Sequence, residues 1–120
     1  MHGKILIVDD DTASLKNVAY FLRREGYEVN EASNGSEAAE IVDEDGFDLV
    51  LSDLIMPGLN GLDLLDHIRS VDPEVRVVVM SAFAAVDPNQ LIERGATDFI
   101  EKPLQLDELL SKVKRALDEY

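Results

Sequence analysis

Cysteine and tryptophan are both absent from the 120-residue sequence, and basic residues are scarce. The absence of cysteine excludes disulfide bonds, thiolate chemistry and cysteine-bound metal sites. With 11 Lys and Arg against 25 Asp and Glu, the net charge is −14, and a field of that sign repels nucleic acid and anionic membranes. No apolar run approaches the ~18 residues of a membrane span. We therefore expect one soluble, cytoplasmic domain that binds neither nucleic acid nor membranes directly.

Short apolar runs rich in β-branched residues alternate with segments of helical periodicity. The runs are 5–8, 28–32, 49–52, 75–80 and 98–100. The first, third and fourth runs are almost continuously apolar, which is typical of strands buried on both faces of a parallel sheet. The helical segments lie at Leu15 to Leu22, Ala38 to Val42, Leu62 to Ile68, the residues after Pro88, and Leu106 to Leu117. This β-α order, repeated five times, predicts a doubly wound α/β fold with a five-stranded parallel sheet and helices on both of its faces.

Residues that typically end helices flank these segments. Candidate N-caps are Asn34, Asn60 and Asp87, and candidate C-terminal glycines are Gly26, Gly46 and Gly95. Pro88 directly follows Asp87, where a proline suits the first helical position. The fourth helix is therefore expected to be short.

Polar side chains follow four of the five predicted strands. They are Asp9, Asp10, Asp53, Ser81 and Lys102. Because the carboxyl ends of parallel strands meet at one edge of the sheet, we expect these side chains to lie together. Clustered carboxylates repel one another, so Lys102 and a divalent cation are needed to compensate their charge. An oxygen-only donor set with few protein ligands favours Mg²⁺ over Ca²⁺ or Zn²⁺.

Each of these residues also has a simpler interpretation when it is taken alone. An aspartate after a strand is commonly a helix N-cap, and Asp11 is assigned that role. Alone, Ser81 would be a loop hydroxyl and Lys102 a solvated side chain. The prediction of a site depends on the four strand ends acting together.

Four motifs, in order along the chain, resemble the receiver domain of two-component response regulators. They are Ile-Leu-Ile-Val-Asp-Asp-Asp at 5–11, Leu-Val-Leu-Ser-Asp-Leu-Ile-Met-Pro-Gly at 49–58, Val-Val-Met-Ser-Ala at 78–82 and Gly-Ala-Thr-Asp-Phe-Ile-Glu-Lys-Pro at 95–103. The resemblance covers essentially the whole chain and implies a CheY-like (βα)5 fold with the strand order 2-1-3-4-5. It also implies a single receiver domain over residues 1–120, with no output domain in this chain.

The resemblance implies a chemical role for each polar residue. Asp53 resembles the phosphoacceptor, whose carboxylate becomes an aspartyl phosphate. The implied cofactor is Mg²⁺, which Mn²⁺ can replace. Its implied ligands are Asp9, Asp10, Asp53 and the backbone carbonyl of Ile55. Lys102 and Ser81 are implied to contact the phosphoryl oxygens.

The resemblance also implies a switch and a rate-setting pair. Ser81 and Phe99 match the family's switch residues, and their movement is expected to reshape the face formed by the fourth helix, fifth strand and fifth helix. Ile55 and Phe83 are apolar where the family tunes access of water to the phosphoryl group, so we expect slow self-dephosphorylation. In the family, the bond that matches Lys102-Pro103 is typically cis.

The implied partners are those of a signalling domain. A sensor histidine kinase or phosphotransfer protein would donate the phosphoryl group, and an output domain or target protein would respond. Such a domain promotes its own phosphorylation and dephosphorylation but has no independent substrate turnover, so an enzyme is not expected. The expected state is a monomer or a phosphorylation-dependent dimer.

Three other functions share parts of this sequence pattern. A flavodoxin-type FMN carrier is disfavoured because Asp9, Asp10 and Asp11 would repel a phosphate at the loop that such a carrier needs. A Mg²⁺-dependent phosphohydrolase usually has a second acid two residues after its nucleophile, where this chain has Ile55. A degenerate receiver that only binds proteins is the remaining alternative, and the intact acidic residues, Ser81 and Lys102 argue against it.

Overall fold

The computed structural model describes residues 3–54, 61–82 and 87–119. Five strands alternate with five helices. The strands are β1 (Lys4–Val8), β2 (Glu28–Ala32), β3 (Leu49–Asp53), β4 (Arg76–Ala82) and β5 (Asp98–Lys102). The helices are α1 (Thr12–Arg24), α2 (Gly35–Glu44), α3 (Gly61–Val71), α4 (Pro88–Glu93) and α5 (Leu106–Glu119). No helix in these ranges is long and apolar enough to cross a bilayer.

The strands form one parallel sheet in the order β2-β1-β3-β4-β5. This confirms the doubly wound α/β fold and the strand order that the resemblance implies. The register aligns Val8 of β1 with Ser52 of β3, and Asp53 of β3 with Met80 of β4. The ends of three neighbouring strands therefore stop at nearly the same level.

The core has two layers because alternate residues of each strand point to opposite faces. Ile5, Ile7, Leu49 and Leu51 pack with α1 and α5 on one face. On the other face, the cluster that we call the α3-side core contains residues of β1, β3 and β4 with α2, α3 and α4. Its members include Leu6, Val8, Val50, Leu54, Val77, Val79, Ala38, Leu64, Ile68 and Leu91. Covering both faces explains why the central strands are apolar throughout.

The predicted helix N-caps are present where the structure describes them. Asn34 accepts a hydrogen bond from the Glu37 amide at 2.8 Å, and Asp87 accepts one from the Asn89 amide at 2.9 Å. Asp11 caps α1, as predicted. The candidate cap Asn60 lies outside the described residues.

The helix ends follow the glycine signals closely. Gly26 and Gly95 have φ values of 100° and 105°, in the left-handed region that favours glycine. The α2 helix ends at Glu44, two residues before Gly46, and α4 has only six residues. β4 and β5 each end two residues later than predicted, since the ladder continues to the pair Ala82 and Lys102, and β1 and β3 are each one residue longer than predicted.

Candidate functional site

Neighbouring central strands deliver two of the predicted acidic residues to one edge of the sheet. Asp9 directly follows β1, and Asp53 is the last residue of β3. Both are almost fully buried, with relative exposures of 1% and 7%, whereas Asp10 is exposed. The Asp11 amide donates a hydrogen bond to Asp9 Oδ1 at 2.9 Å, which fixes the first carboxylate as the chain turns into α1.

The three carboxylates converge. Each of Asp9, Asp10 and Asp53 offers an oxygen atom, and these three atoms lie within 4.8 Å of one another. In the part of the chain that the structure describes, this is the one group of three or more acidic or histidine side chains close enough to share a metal ion. The sequence-based prediction that the strand ends bring these residues together is confirmed in its geometry.

Lys102 reaches into the cluster from the end of β5. Its Nζ atom lies 3.0 Å from Asp53 Oδ2 and 3.4 Å from Asp9 Oδ2. The peptide bond between Lys102 and Pro103 is cis, as the resemblance implied. One ammonium thus bridges the two buried carboxylates, while negative charge stays in excess.

The pKa shifts at the site reflect burial first and the neighbouring charges second. Burial raises the pKa of the Asp53 carboxyl, and although the hydrogen bond and charge of Lys102 oppose this rise, they do not cancel it. Burial lowers the pKa of Lys102, but its hydrogen bond with Asp53 and the charges of Asp53 and Asp9 outweigh burial and raise that pKa overall. Lys102 therefore stays protonated, and a second cation would favour the ionised form of Asp53.

The donor set fits a hard divalent cation. Three carboxylates supply only oxygen ligands, and the exposed Asp10 leaves a side open to water. Mg²⁺ typically takes one or two carboxylates and keeps several waters, which matches this combination better than a closed all-protein cage. The arrangement can bind a cation and place an ionised carboxylate beside it.

Ser81 and Phe99 lie on the strands next to the acidic cluster. Ser81 is 1% exposed and follows Met80, the register partner of Asp53. Phe99 is half-buried on β5 and packs against the α3-side core. Lys112 of α5 donates a hydrogen bond to the Phe99 carbonyl oxygen and lies 3.5 Å from Asp98 Oδ1.

Two predicted residues, Ile55 and Phe83, lie outside the described residues. Conversely, Ser52 and Gly61 have no role in the sequence-based prediction, yet both contact the backbone of Asp53. A hydroxyl within an otherwise aliphatic strand is the one sequence signal that singles out Ser52. Nothing in the sequence singles out Gly61, because the contact depends on where α3 starts.

Comparison with known proteins places the chain in a family. Residues 5–114 match the family described as response regulator receiver domain. The chain is 36% identical over 118 residues to sporulation initiation phosphotransferase F of Bacillus subtilis, a match that covers 98% of this chain and 95% of that protein. A crystal structure of a CheY-like response regulator receiver domain protein from Methanospirillum hungatei has a TM-score of 0.93 at 33% identity, covering 99% of this chain and 96% of that one.

Other relatives are longer than this chain. The DNA-binding transcriptional regulator NtrC of Azospirillum brasilense is 39% identical over 115 residues, which is 95% of this chain but 24% of that protein. The chain spans 51% of another curated relative. These matches favour a signalling domain over a flavin carrier or a phosphohydrolase. The fold, the acidic cluster and the full-length matches together show that the chain belongs to the response regulator receiver domain family.

Proposed function

We propose that this receiver domain accepts a phosphoryl group on Asp53 from a partner histidine kinase or phosphotransfer protein in a Mg²⁺-dependent reaction. The observation that carries the proposal is the position of the Asp53 carboxylate. It lies at the same edge of the sheet as two further carboxylates and 3.0 Å from the Lys102 ammonium. Residues 1–120 would act as one receiver domain in the cytoplasm.

The transfer needs little from the protein beyond position and charge. An Asp53 carboxylate oxygen attacks phosphorus, and the bond from phosphorus to the donor's imidazole nitrogen breaks. The imidazole leaves with the electron pair and takes a proton from water. Lys102 offsets charge on the phosphoryl oxygens, and the Ser81 hydroxyl donates a hydrogen bond to one of them.

A bound cation completes the charge balance. The residues that would hold Mg²⁺, or Mn²⁺ in its place, are Asp9, Asp10, Asp53 and the backbone carbonyl of Ile55. The cation would supply positive charge against the carboxylates and the incoming phosphoryl oxygens. Because the protein itself carries the product, the domain turns over no independent substrate. Water attack on phosphorus returns the carboxylate and inorganic phosphate.

A groove beside the site suits the phosphodonor partner. It has a volume of about 960 Å³, lies between α1 and the connection from β5 to α5, and includes both Asp11 and Lys102. Tyr20 and Leu106 line it and are 65% and 46% exposed. Because Lys102 lines this groove and also contacts Asp53, a protein segment seated in it could present a phosphohistidine to Asp53.

The response to phosphorylation would be a change in a surface on the other side of Lys102 from the groove. We assign the switch to Ser81 and Phe99, whose rearrangement changes the face formed by α4, β5 and α5 for an output domain or target protein. That face is also the surface for a phosphorylation-dependent dimer. Slow self-dephosphorylation, set by Ile55 and Phe83, stays a prediction, and a phosphoryl lifetime of seconds would contradict it.

The proposal is tested by incubating the protein with Mg²⁺ and acetyl phosphate or phosphoramidate and measuring its intact mass. We expect a phosphate-sized adduct that is absent without Mg²⁺ and absent in Asp53→Asn. The matched control is Asp45→Asn, which removes an exposed aspartate beside Lys4. Lys4 is the first residue of β1 and lies at the end of that strand away from Asp9, so this variant should keep the adduct. If neither donor gives an adduct in the wild type, the degenerate, protein-binding receiver becomes the better description.

A further inference from the structure

We infer that Ser52 and Gly61 are positioning residues for phosphoryl transfer, because together they fix the peptide unit that joins Asp53 to Leu54. The inference rests on the proposed role of Asp53. Neither residue belongs to the acidic cluster; both contact the backbone that carries the Asp53 carboxylate. Their effect is therefore on where the nucleophile lies.

Gly61 holds this peptide unit by close approach. It is the first residue of α3, it is buried, and its amide donates a hydrogen bond at 2.8 Å to the Leu54 carbonyl oxygen, which belongs to the next peptide unit. A Cβ atom at Gly61 would lie 2.6 Å from the Asp53 carbonyl oxygen and 2.6 Å from Leu54 Cα. Backbone atoms cannot swing aside as a flexible side chain can, so any larger residue must displace either this peptide unit or the start of α3.

Ser52 holds the same carbonyl group by a hydrogen bond. Its hydroxyl donates to the Asp53 carbonyl oxygen at 2.9 Å, and the residue is only 2% exposed. The strand partners of Ser52 are the apolar residues Val8 and Val79. In such surroundings a hydroxyl is unfavourable unless it is bonded, and here its bond goes to the carbonyl that follows the nucleophile.

The third constraint on the peptide unit comes from β4. The Leu54 amide donates a hydrogen bond to the Met80 carbonyl oxygen at 2.8 Å. A backbone hydrogen bond from Leu54 also lowers the pKa of the Asp53 carboxyl. Because the Asp53 Cα atom is part of this peptide unit, a displacement of the unit would move the carboxylate relative to Lys102, and reactions that depend on alignment are sensitive to displacements of about 1 Å.

The first test compares Ser52→Ala with Ser52→Thr. Removing the hydroxyl should slow phosphorylation by acetyl phosphate about three- to tenfold at saturating Mg²⁺ and donor, whereas threonine, which keeps a hydroxyl, should restore most of the rate. The Mg²⁺ dissociation constant, measured by isothermal titration calorimetry, should rise in Ser52→Ala and return in Ser52→Thr. Thermal unfolding of each variant distinguishes a loss of stability from a displacement of the Asp53 carboxylate.

The second test compares Gly61→Ala with Gly46→Ala. A Cβ atom at Gly46 meets no atom within 4 Å, so that variant controls for the change from glycine to alanine. Gly61→Ala should lose on the order of a hundredfold in rate, and Gly46→Ala none. The Ser52 pair decides the inference even if Gly61→Ala fails to fold.

The two proposals fail in different ways. A wild-type protein that takes no phosphoryl group overturns the proposed function. A wild-type protein that is phosphorylated, with Ser52→Ala equal to it in rate and Mg²⁺ affinity, overturns only the positioning inference. Ser52→Ala that lowers the unfolding temperature and leaves both of those quantities unchanged would likewise make the residue purely structural.

Discussion

Three consecutive aspartates follow β1, and their surroundings give each a different role. Asp9 is buried and bonded to Lys102, Asp10 is exposed within reach of the other carboxylates, and Asp11 turns away to cap α1. Three adjacent, identical side chains therefore have different surroundings, because the chain leaves the strand and enters a helix within three positions. The role of Asp11 could be predicted from the sequence, since an aspartate just before a helical pattern is a typical N-cap.

This division predicts that Asp11→Ala affects stability and not phosphoryl chemistry. Asp11 Oδ1 accepts hydrogen bonds from the amides of Ala13 at 3.1 Å and Ser14 at 3.3 Å, and losing a cap costs about 1 kcal/mol. Urea unfolding should show that loss, while the rate of phosphorylation by acetyl phosphate stays within about twofold of wild type. Asp11→Asn keeps a capping oxygen and should recover the stability. A large loss of Mg²⁺ affinity in Asp11→Asn would instead make Asp11 part of the metal site.

At the scale of helices and strands, features that depend on local residues could be predicted from the sequence, whereas features that depend on tertiary contacts could not. Helix ends at Gly26, Asn34 and Asp87 depend on the residue present, so they could be read directly. The strand order depends on pairing between distant segments and came from the family resemblance alone. The contact at Gly61 could not be predicted, because it depends on where α3 starts. The hydroxyl of Ser52 stands out in an aliphatic strand, but the sequence does not show which group it bonds.

The attachment of α1 to β2 predicts a pH-dependent contribution to stability. Glu31 of β2 lies 2.7 Å from Lys16 Nζ and 2.9 Å from an Arg23 guanidinium nitrogen, and its side chain is 16% exposed. The hydrogen bond from Lys16 lowers the pKa of Glu31, and Arg23 adds to this, against a smaller opposing effect of burial. The stabilisation is therefore present above the ordinary glutamate pKa and is lost as the pH falls through the lowered pKa of the folded state.

Glu31→Gln should accordingly lower the free energy of unfolding by about 1 kcal/mol at neutral pH, and the difference should vanish once the pH lies below the lowered pKa of Glu31. Urea unfolding at several pH values measures it. Glu28→Gln is the matched control in the same strand, because that side chain is 70% exposed and 3.9 Å from Lys4 Nζ. A difference for Glu31→Gln that persists unchanged into acid would show that the ion pairs are not its source.

At the scale of the whole molecule, the net charge is −14, and three of the carboxylates are clustered at the site. Mg²⁺ can interact both with the surface charge and with this cluster. Two effects of added Mg²⁺ must therefore be distinguished. Any salt screens repulsion over the surface, an effect that sodium chloride shares. Binding at the acidic cluster is a separate contribution, which stabilises the folded state by mass action and saturates with the site.

We expect Mg²⁺ to raise the unfolding temperature beyond sodium chloride at equal ionic strength. At a free concentration ten times the dissociation constant, binding contributes about 1.4 kcal/mol, which corresponds to about 5 °C for a domain of this size. Asp10→Asn should abolish this excess without harming the core, because Asp10 is exposed, whereas Glu40→Gln removes an exposed charge of the same sign on α2 and should keep it. Chelation of Mg²⁺ should reverse the gain. An equal excess in Asp10→Asn and Glu40→Gln would mean that Mg²⁺ acts on the diffuse surface charge and that the three strand-end carboxylates do not form its site.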